Sequence, residues 1–271
     1  MGIVWLLERP SSEGYDPFYR PRLAVKTFDF MQDDSAIERE LNNWIVLDHG
    51  KIVPLLKISR LNYRIAAVMP LYSCSLDEFL SESGALSVTE VADVILQVAN
   101  ALHYAYNNFG LLHLDVKPEN LLLDTPRSLQ IQLTDWGVSR LIPSTLEQKT
   151  PCILLGHQSN SIGNFTSYSG GTPLFMSPER FSGEWKLKPN ADIYSLGMLA
   201  LVLATGVFPF RGGEIDPLIE ITTGAYYENA AELLIDYPRR FADFCLMSLH
   251  PFPLNRLQDY KHVRRMLRKI R

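Results

Sequence analysis

The stretch from His113 to Asp135 constrains this chain more than any other. Pro118 has no amide hydrogen and resists a helix, while Leu121-Leu122-Leu123 and Ile131-Gln132-Leu133 are short apolar or alternating runs on either side of a turn over Asp124 to Ser128. The pattern predicts a hairpin. Antiparallel strands return on themselves, so Asn120 at the start of the first and Asp135 at the end of the second are expected side by side. Asp115 and Lys117 enter the same mouth. Two hard oxygen donors in that setting suit Mg²⁺ and phosphate, because Mg²⁺ takes few protein ligands and completes its shell with phosphate oxygens and water. The alternative for such a segment in isolation is a surface hairpin with solvated charges.

Upstream, Ile3 to Leu7 and Leu23 to Phe28 read as strands across a polar loop, and Lys26 shares a sheet face with Ala24 and Phe28, where an ammonium needs a partner. Ser35-Ala36-Ile37-Glu38 has the form of a capping box, with Ile37, Leu41 and Trp44 behind it at helical spacing. Ile52 to Leu56 and Arg64 to Met69 predict further strands, so residues 1–70 form a small sheet carrying one helix. From 71 to 271 the patterns turn helical, over 87–107, 191–205 and 239–249. Residues 145–171 are rich in Ser, Thr, Asn and Gly and read as a long loop.

Composition narrows the function classes. Lys and Arg total 26 against 30 Asp and Glu, a net charge of -4, which supplies no general basic footprint for nucleic acid. Cys74, Cys152 and Cys245 are too scattered for a disulfide framework or a Cys-x-x-Cys site and point to a reducing, cytoplasmic setting. The opening MGIVWLLERP has no basic leader and too short an apolar run for a signal peptide. Residues 193–210 are uncharged but interrupted by Ser195, Gly197, Thr205 and Gly206, short of the ~20 apolar residues of a membrane span, so a buried core helix is expected.

Read together, these segments resemble the eukaryotic-type protein kinase family, in order and over nearly the whole chain. His113-Leu114-Asp115 resembles the catalytic-loop HRD, and Lys117-Pro118-Glu119-Asn120 continues it in the Ser/Thr-specific form. Asp135-Trp136-Gly137 resembles DFG, Gly171-Thr172-Pro173 with Ser177-Pro178-Glu179 resembles GT…APE, and Asp192-Ile193-Tyr194-Ser195-Leu196-Gly197 resembles the DxWSxG helix start. Arg256 stands where the family's arginine pairs with the APE glutamate, here Glu179. The resemblance implies a bilobal α+β fold, with a β-rich N-lobe (1–70) carrying one helix and a larger, mainly helical C-lobe (71–271).

It also implies roles. Asp115 would be the catalytic base, Lys117 would neutralise the transferring phosphoryl group, and Thr172 would hydrogen-bond both. Asn120 and Asp135 would hold Mg²⁺. Lys26 would bind the ATP phosphates with Glu40 as its partner; Glu40 lies about 60° from the apolar face of its helix and Glu38, left to capping, about 100°. Val68-Met69-Pro70-Leu71-Tyr72 resembles the hinge that hydrogen-bonds adenine, through Leu71 or Tyr72, and Val4, Ala24 and Leu122 would enclose the ring. His113 would be structural. The expected activity is ATP- and Mg²⁺-dependent phosphorylation of Ser/Thr hydroxyls on protein substrates.

Departures from the family pattern motivate the alternative, a pseudokinase serving as a nucleotide-binding or interaction module. Leu114 replaces the arginine that would read an activation-loop phosphate, as in the non-RD class. Arg140 to Gly170 is long for an activation segment. No GxGxxG precedes Lys26; Gly2-Ile3-Val4 resembles only the end of that motif, which predicts either a start that falls inside the Gly-rich loop and lacks its first strand, or a chain without that phosphate lid.

Overall fold

A computed structural model of the chain describes residues 3–7, 22–28, 34–61, 63–125, 128–136, 140–141, 174–182, 187–211 and 216–270. Gly2, Gly137, Cys152, Thr172 and the loop expected over 145–171 lie outside the described residues.

Strands β1 (Ile3–Leu7), β2 (Leu23–Thr27), β3 (Lys57–Leu61) and β4 (Arg64–Pro70) form an antiparallel sheet in the order β1-β2-β4-β3. Helix α1 (Asp34–Ile45) packs on it through Ile37, Leu41 and Trp44, which are almost wholly buried. The helix begins one residue ahead of Ser35, and the Glu38 carboxylate engages Arg60 on β3 at 3.1 Å.

The expected strand over Ile52 to Leu56 is instead a connector. Ile52 makes a single parallel bridge to Leu133; Val53 N–H donates to Leu133 O at 2.9 Å, and Leu133 N–H to Lys51 O at 3.0 Å. Trp44 Nε1 donates to Val53 O at 2.7 Å, linking α1 to this junction. The true strand, β3, follows at Lys57. It is an edge strand with both faces partly open, so its residues carry little apolar alternation.

The larger lobe is built on helices. After β5 (Cys74–Ser75), α2 (Leu76–Ser83) and α3 (Val88–Phe109) each start in a capping box, Ser75 with Glu78 and Ser87 with Glu90. In a capping box the serine accepts an amide of the first turn and the glutamate reaches back. Helix α3 ends at Gly110, whose φ of 65° is the left-handed geometry that glycine adopts without a Cβ penalty. Helix α5 (Pro189–Thr205), which follows the short α4 (Glu179–Ser182), runs through the centre and is buried on nearly all sides, as expected for a helix whose residues from 193 on are uncharged and too few to cross a membrane. It packs on α3 and on α8 (Arg239–Leu249). At Gly197 the helices approach so closely that a Cβ would stand 2.6 Å from that of Ser248. Strands β7 (Leu121–Leu123) and β8 (Ile131–Leu133) form the expected hairpin.

Candidate active site

The hairpin register is Leu121↔Leu133, so Asn120 faces Thr134, whose N–H donates to Asn120 O at 2.9 Å. Asp135 lies one step beyond and adopts φ of 63°. A left-handed conformation at a non-glycine residue costs of order 1 kcal/mol and marks positions the surroundings over-determine. That backbone turn takes the Asp135 carboxylate to β2, where Lys26 Nζ meets Oδ1 at 2.6 Å. Lys26 also sits 5.5 Å from the centroid of the Phe28 ring, a cation–π distance.

The partner expected for Lys26 was Glu40, and here the structure differs. Among the described residues, Lys26 forms its ion pair with Asp135; none within 4 Å joins it to Glu40. Burial, reinforced by the charge on Asp135, pushes the Glu40 carboxyl up to about 7, with Lys26 and Arg39 pulling less strongly the other way. Burial alone would raise Asp135 too, but the Lys26 charge and hydrogen bond, with the charge of Lys117, outweigh it and hold that carboxyl below its ordinary range. The stronger anion takes the ammonium.

Asp115 anchors the other half of the site. Its Oδ2 accepts from Asn120 Nδ2 at 2.9 Å and pairs with Lys117 Nζ at 3.0 Å, and Asn120 Nδ2 also donates to Asp115 O at 2.7 Å. Burial would lower the Lys117 pKa, but Asp115 foremost, then Glu119 and Asp135, raise it. Lys117 therefore senses both carboxylates. With its amide nitrogen committed to Asp115, Asn120 keeps Oδ1 without a protein partner among the described residues, and Asp135 likewise keeps Oδ2. Both are hard oxygen donors, and the donor set fits Mg²⁺.

The loop carrying Asp115 is pinned from behind. Asp192, fully buried in the first turn of α5, accepts the N–H groups of Leu114 at 2.7 Å and His113 at 3.0 Å, and the Tyr260 hydroxyl at 3.0 Å. Arg180 Nη1 donates to Leu114 O. Leu114 has φ of 67° and packs in a small apolar cluster with Leu112 and Ala191, where no phosphate reader stands. His113 Nδ1 accepts the Asp115 N–H at 3.2 Å, so the ring proton sits on Nε2, which donates to Thr134 O at 3.0 Å. Both nitrogens serve the backbone. Trp136 stands edge-on to that imidazole at 4.7 Å and is fully buried.

At the lobe junction, Leu71 N–H is taken by Arg22 O at 2.8 Å and Ser73 N–H by Leu123 O at 2.9 Å. Tyr72 N–H has no partner among the described residues, leaving Tyr72 as the residue of the expected pair with a donor to offer. Its hydroxyl donates to Gln132 Oε1 at 2.6 Å, and burial pushes its pKa up to about 12. Ala24 is buried on β2 opposite Met69, and Leu122 is half-buried on β7. Val4 is paired with Lys26 in the register of β1 and β2. Thr172 lies outside the described residues.

The supporting roles of Asp192, Tyr260 and Arg180 were not read from the sequence. A signal for the first exists: the one carboxylate in an otherwise uncharged, buried and largely apolar helix must have donors waiting for it. Arg256 does meet Glu179, through two bonds of 2.8 Å with both side chains buried, and lies 5.0 Å from the Tyr194 ring centroid.

Residues 19–264 match the family model described as protein kinase domain. NUAK family SNF1-like kinase 2 of Rattus norvegicus is 32% identical over 199 residues, 73% of this chain and 28% of that protein. Calcium/calmodulin-dependent protein kinase type IV of Homo sapiens is 25% identical over 288 residues, 99% of this chain and 56% of that one. The crystal structure of Rad53 1-466 in complex with AMP-PNP shares the fold, with a TM-score of 0.67 and 22% identity over 97% of this chain and 64% of that one. The chain thus spans between about a quarter and just over half of these curated relatives. By its family model, its two-lobed fold and its ordered motifs, the chain belongs to the protein kinase domain family.

Proposed function

We propose that the chain transfers the γ-phosphoryl group of ATP to Ser or Thr hydroxyls of protein substrates. The observation that carries this reading is the convergence of Lys26, Asp115, Lys117, Asn120 and Asp135 as two adjacent ion pairs, Lys26–Asp135 and Lys117–Asp115, with Asn120 bonded into the second. Phosphoryl transfer needs positioning and charge neutralisation rather than covalent chemistry, and this set supplies both.

Asp115 Oδ2 is occupied by Lys117 and Asn120, so Oδ1 is the atom that accepts the substrate hydroxyl proton. Lys117, held beside it, neutralises charge developing on the transferring group. Lys26 orients the ATP phosphates. Asn120 Oδ1 and Asp135 would hold Mg²⁺, which when bound neutralises phosphate charge. Tyr72 N–H meets the adenine edge, between Ala24 and Val4 on one side and Leu122 on the other. Thr172 steadies Asp115 and Lys117. The free thiols of Cys74 and Cys245 support action in a reducing cytoplasm, and no helix among the described residues is long and apolar enough to cross a membrane.

The test is transfer of radiolabelled phosphate from ATP to a generic Ser/Thr peptide. Asp115→Asn is expected to lower the rate by about 10²–10⁴-fold, and Asp135→Asn to abolish Mg²⁺-dependent nucleotide binding. A wild type that is thermally stabilised by Mg·ATP yet transfers nothing would overturn the reading in favour of a binding module.

A further inference from the structure

At the C-terminal end of the large lobe, charge is distributed in a way the active site does not use. Helix α9 (Tyr260–Leu267) and the turn after it carry Lys261, Arg264, Arg265, Arg268 and Lys269, at spacings of three and four that set them along one helical face. Among the described residues, these five line a surface hollow of about 470 Å³. Two cationic side chains in the last turn of a helix are ordinary complements to its dipole. Five on one face, in a chain whose net charge is -4, exceed that need. None of them forms an ion pair among the described residues.

Arg264 is the shared wall between this hollow and a second recess of about 460 Å³. That recess lies where α9, α3 and the loop after α1 meet, and its other lining includes His49, Lys51, Asn100, His103 and Asn107. Among the described residues, no acidic side chain lines either one. Two polar atoms of its lining residues, Arg264 Nε and Asn100 Oδ1, are buried with no hydrogen-bond partner. Of the two, Arg264 Nε is the donor, so at that atom its guanidinium is not committed to a protein acceptor. His103, Lys51 and the amides of Asn100 and Asn107 add further donors.

We propose that this face is a docking site for an anionic peptide segment of a partner protein, its backbone lying along the basic face of α9 and one carboxylate or phosphate side chain entering the recess to meet Arg264. Charge complementarity selects an anion. The recess selects a peptide over a flat membrane surface or a duplex, because it is a hollow offset to one side of the basic face, reached past Arg264, and suits a single projecting side chain rather than a plane of headgroups or a regular phosphate lattice. The site stands apart from phosphoryl transfer, and its test does not depend on that activity.

The test uses the full chain and two fluorescent probe peptides in polarisation titrations, one of alternating Glu and Gly and one with a single phosphoserine in the same frame. Saturable binding that weakens as salt rises is expected, since these charges are exposed to solvent. Arg265→Glu/Arg268→Glu is expected to weaken both probes by about tenfold or more. Arg264→Gln is expected to weaken the phosphoserine probe more than the other if phosphate is what the recess takes, and both equally if it takes a carboxylate; thermal unfolding checks that each variant is folded. Absence of saturable binding by either probe, or unchanged affinity in the double variant, overturns the proposal. So does tighter binding to vesicles containing phosphatidylserine or to a short DNA duplex than to both peptides.

Discussion

Lys26 and Asp135 are 109 residues apart in the chain, yet Nζ of one lies 2.6 Å from Oδ1 of the other, while Glu40 stands by without an ion pair to Lys26. One ammonium therefore sits between two carboxyls held in opposite ways: Asp135 ionised, and Glu40 retaining its proton up to about 7.

That asymmetry gives a pH dependence. Glu40 releases its proton near pH 4.5 when unfolded but only near 7 when folded, so its contribution to stability is complete below pH 4.5 and is lost as pH rises through 7. Glu40→Gln is expected to remove this slope, matching wild type in acid and exceeding it at pH 8. The gain is of the order of 1 kcal/mol after allowance for solvent screening, about 2 °C in Tm. Thermal unfolding from pH 4.5 to 8 checks it; parallel curves for the two proteins would contradict the assignment.

Asp192→Asn replaces one of two acceptor oxygens by a donor, directly against the amides of His113 and Leu114. The expected loss is about 3 kcal/mol, with phosphoryl transfer falling further because the loop bearing Asp115 loses its anchor. Tyr260→Phe removes one bond to the same carboxylate and is expected to cost only about 1 kcal/mol. Urea midpoints of the two variants rank them.

Glu179→Gln leaves a buried guanidinium without its counter-charge. A cost of about 3–5 kcal/mol is expected. Arg256→Lys fares no better, because a single ammonium cannot replace the donors now serving Glu179, His250 O and Pro251 O. Equilibrium unfolding in urea measures both, and a loss under 1 kcal/mol in either would mean that the pair is not the anchor described.

Gly197→Ala is expected to destabilise by about 1–3 kcal/mol through overpacking against Ser248. Adding Ser248→Gly removes the atom struck and should return part of that loss. The coupling in this double-mutant cycle distinguishes a steric clash from a change in helix propensity, which would favour alanine.

The hairpin between Leu121 and Leu133 was legible because two short runs and a turn leave little choice. What lay beyond it was not, since strand pairing speaks only for backbone neighbours. Asp135 departs from the ladder through a left-handed φ that no strand pattern encodes, and its carboxylate pairs with Lys26 on β2. Periodicity also misplaced the strand at Ile52. That segment is apolar because it is buried between the lobes, whereas Lys57–Leu61, with both faces partly open, lacks the alternation of a half-buried strand. The buried helix α5 was evident from its uncharged run, but the three donors converging on Asp192 come from residues nearly 70 or more positions away.

The junction at Val53 bears on how the two lobes move. Trp44 on α1 is bonded to Val53, and Val53 in turn to Leu133 of the large lobe. The trailing end of α1 is therefore moored to the large lobe, although its face packs on the small sheet. Any rocking of that sheet relative to the large lobe would therefore carry β2 and Lys26 while the moored end of α1 lagged, and would change the spacing of Lys26 from Glu40.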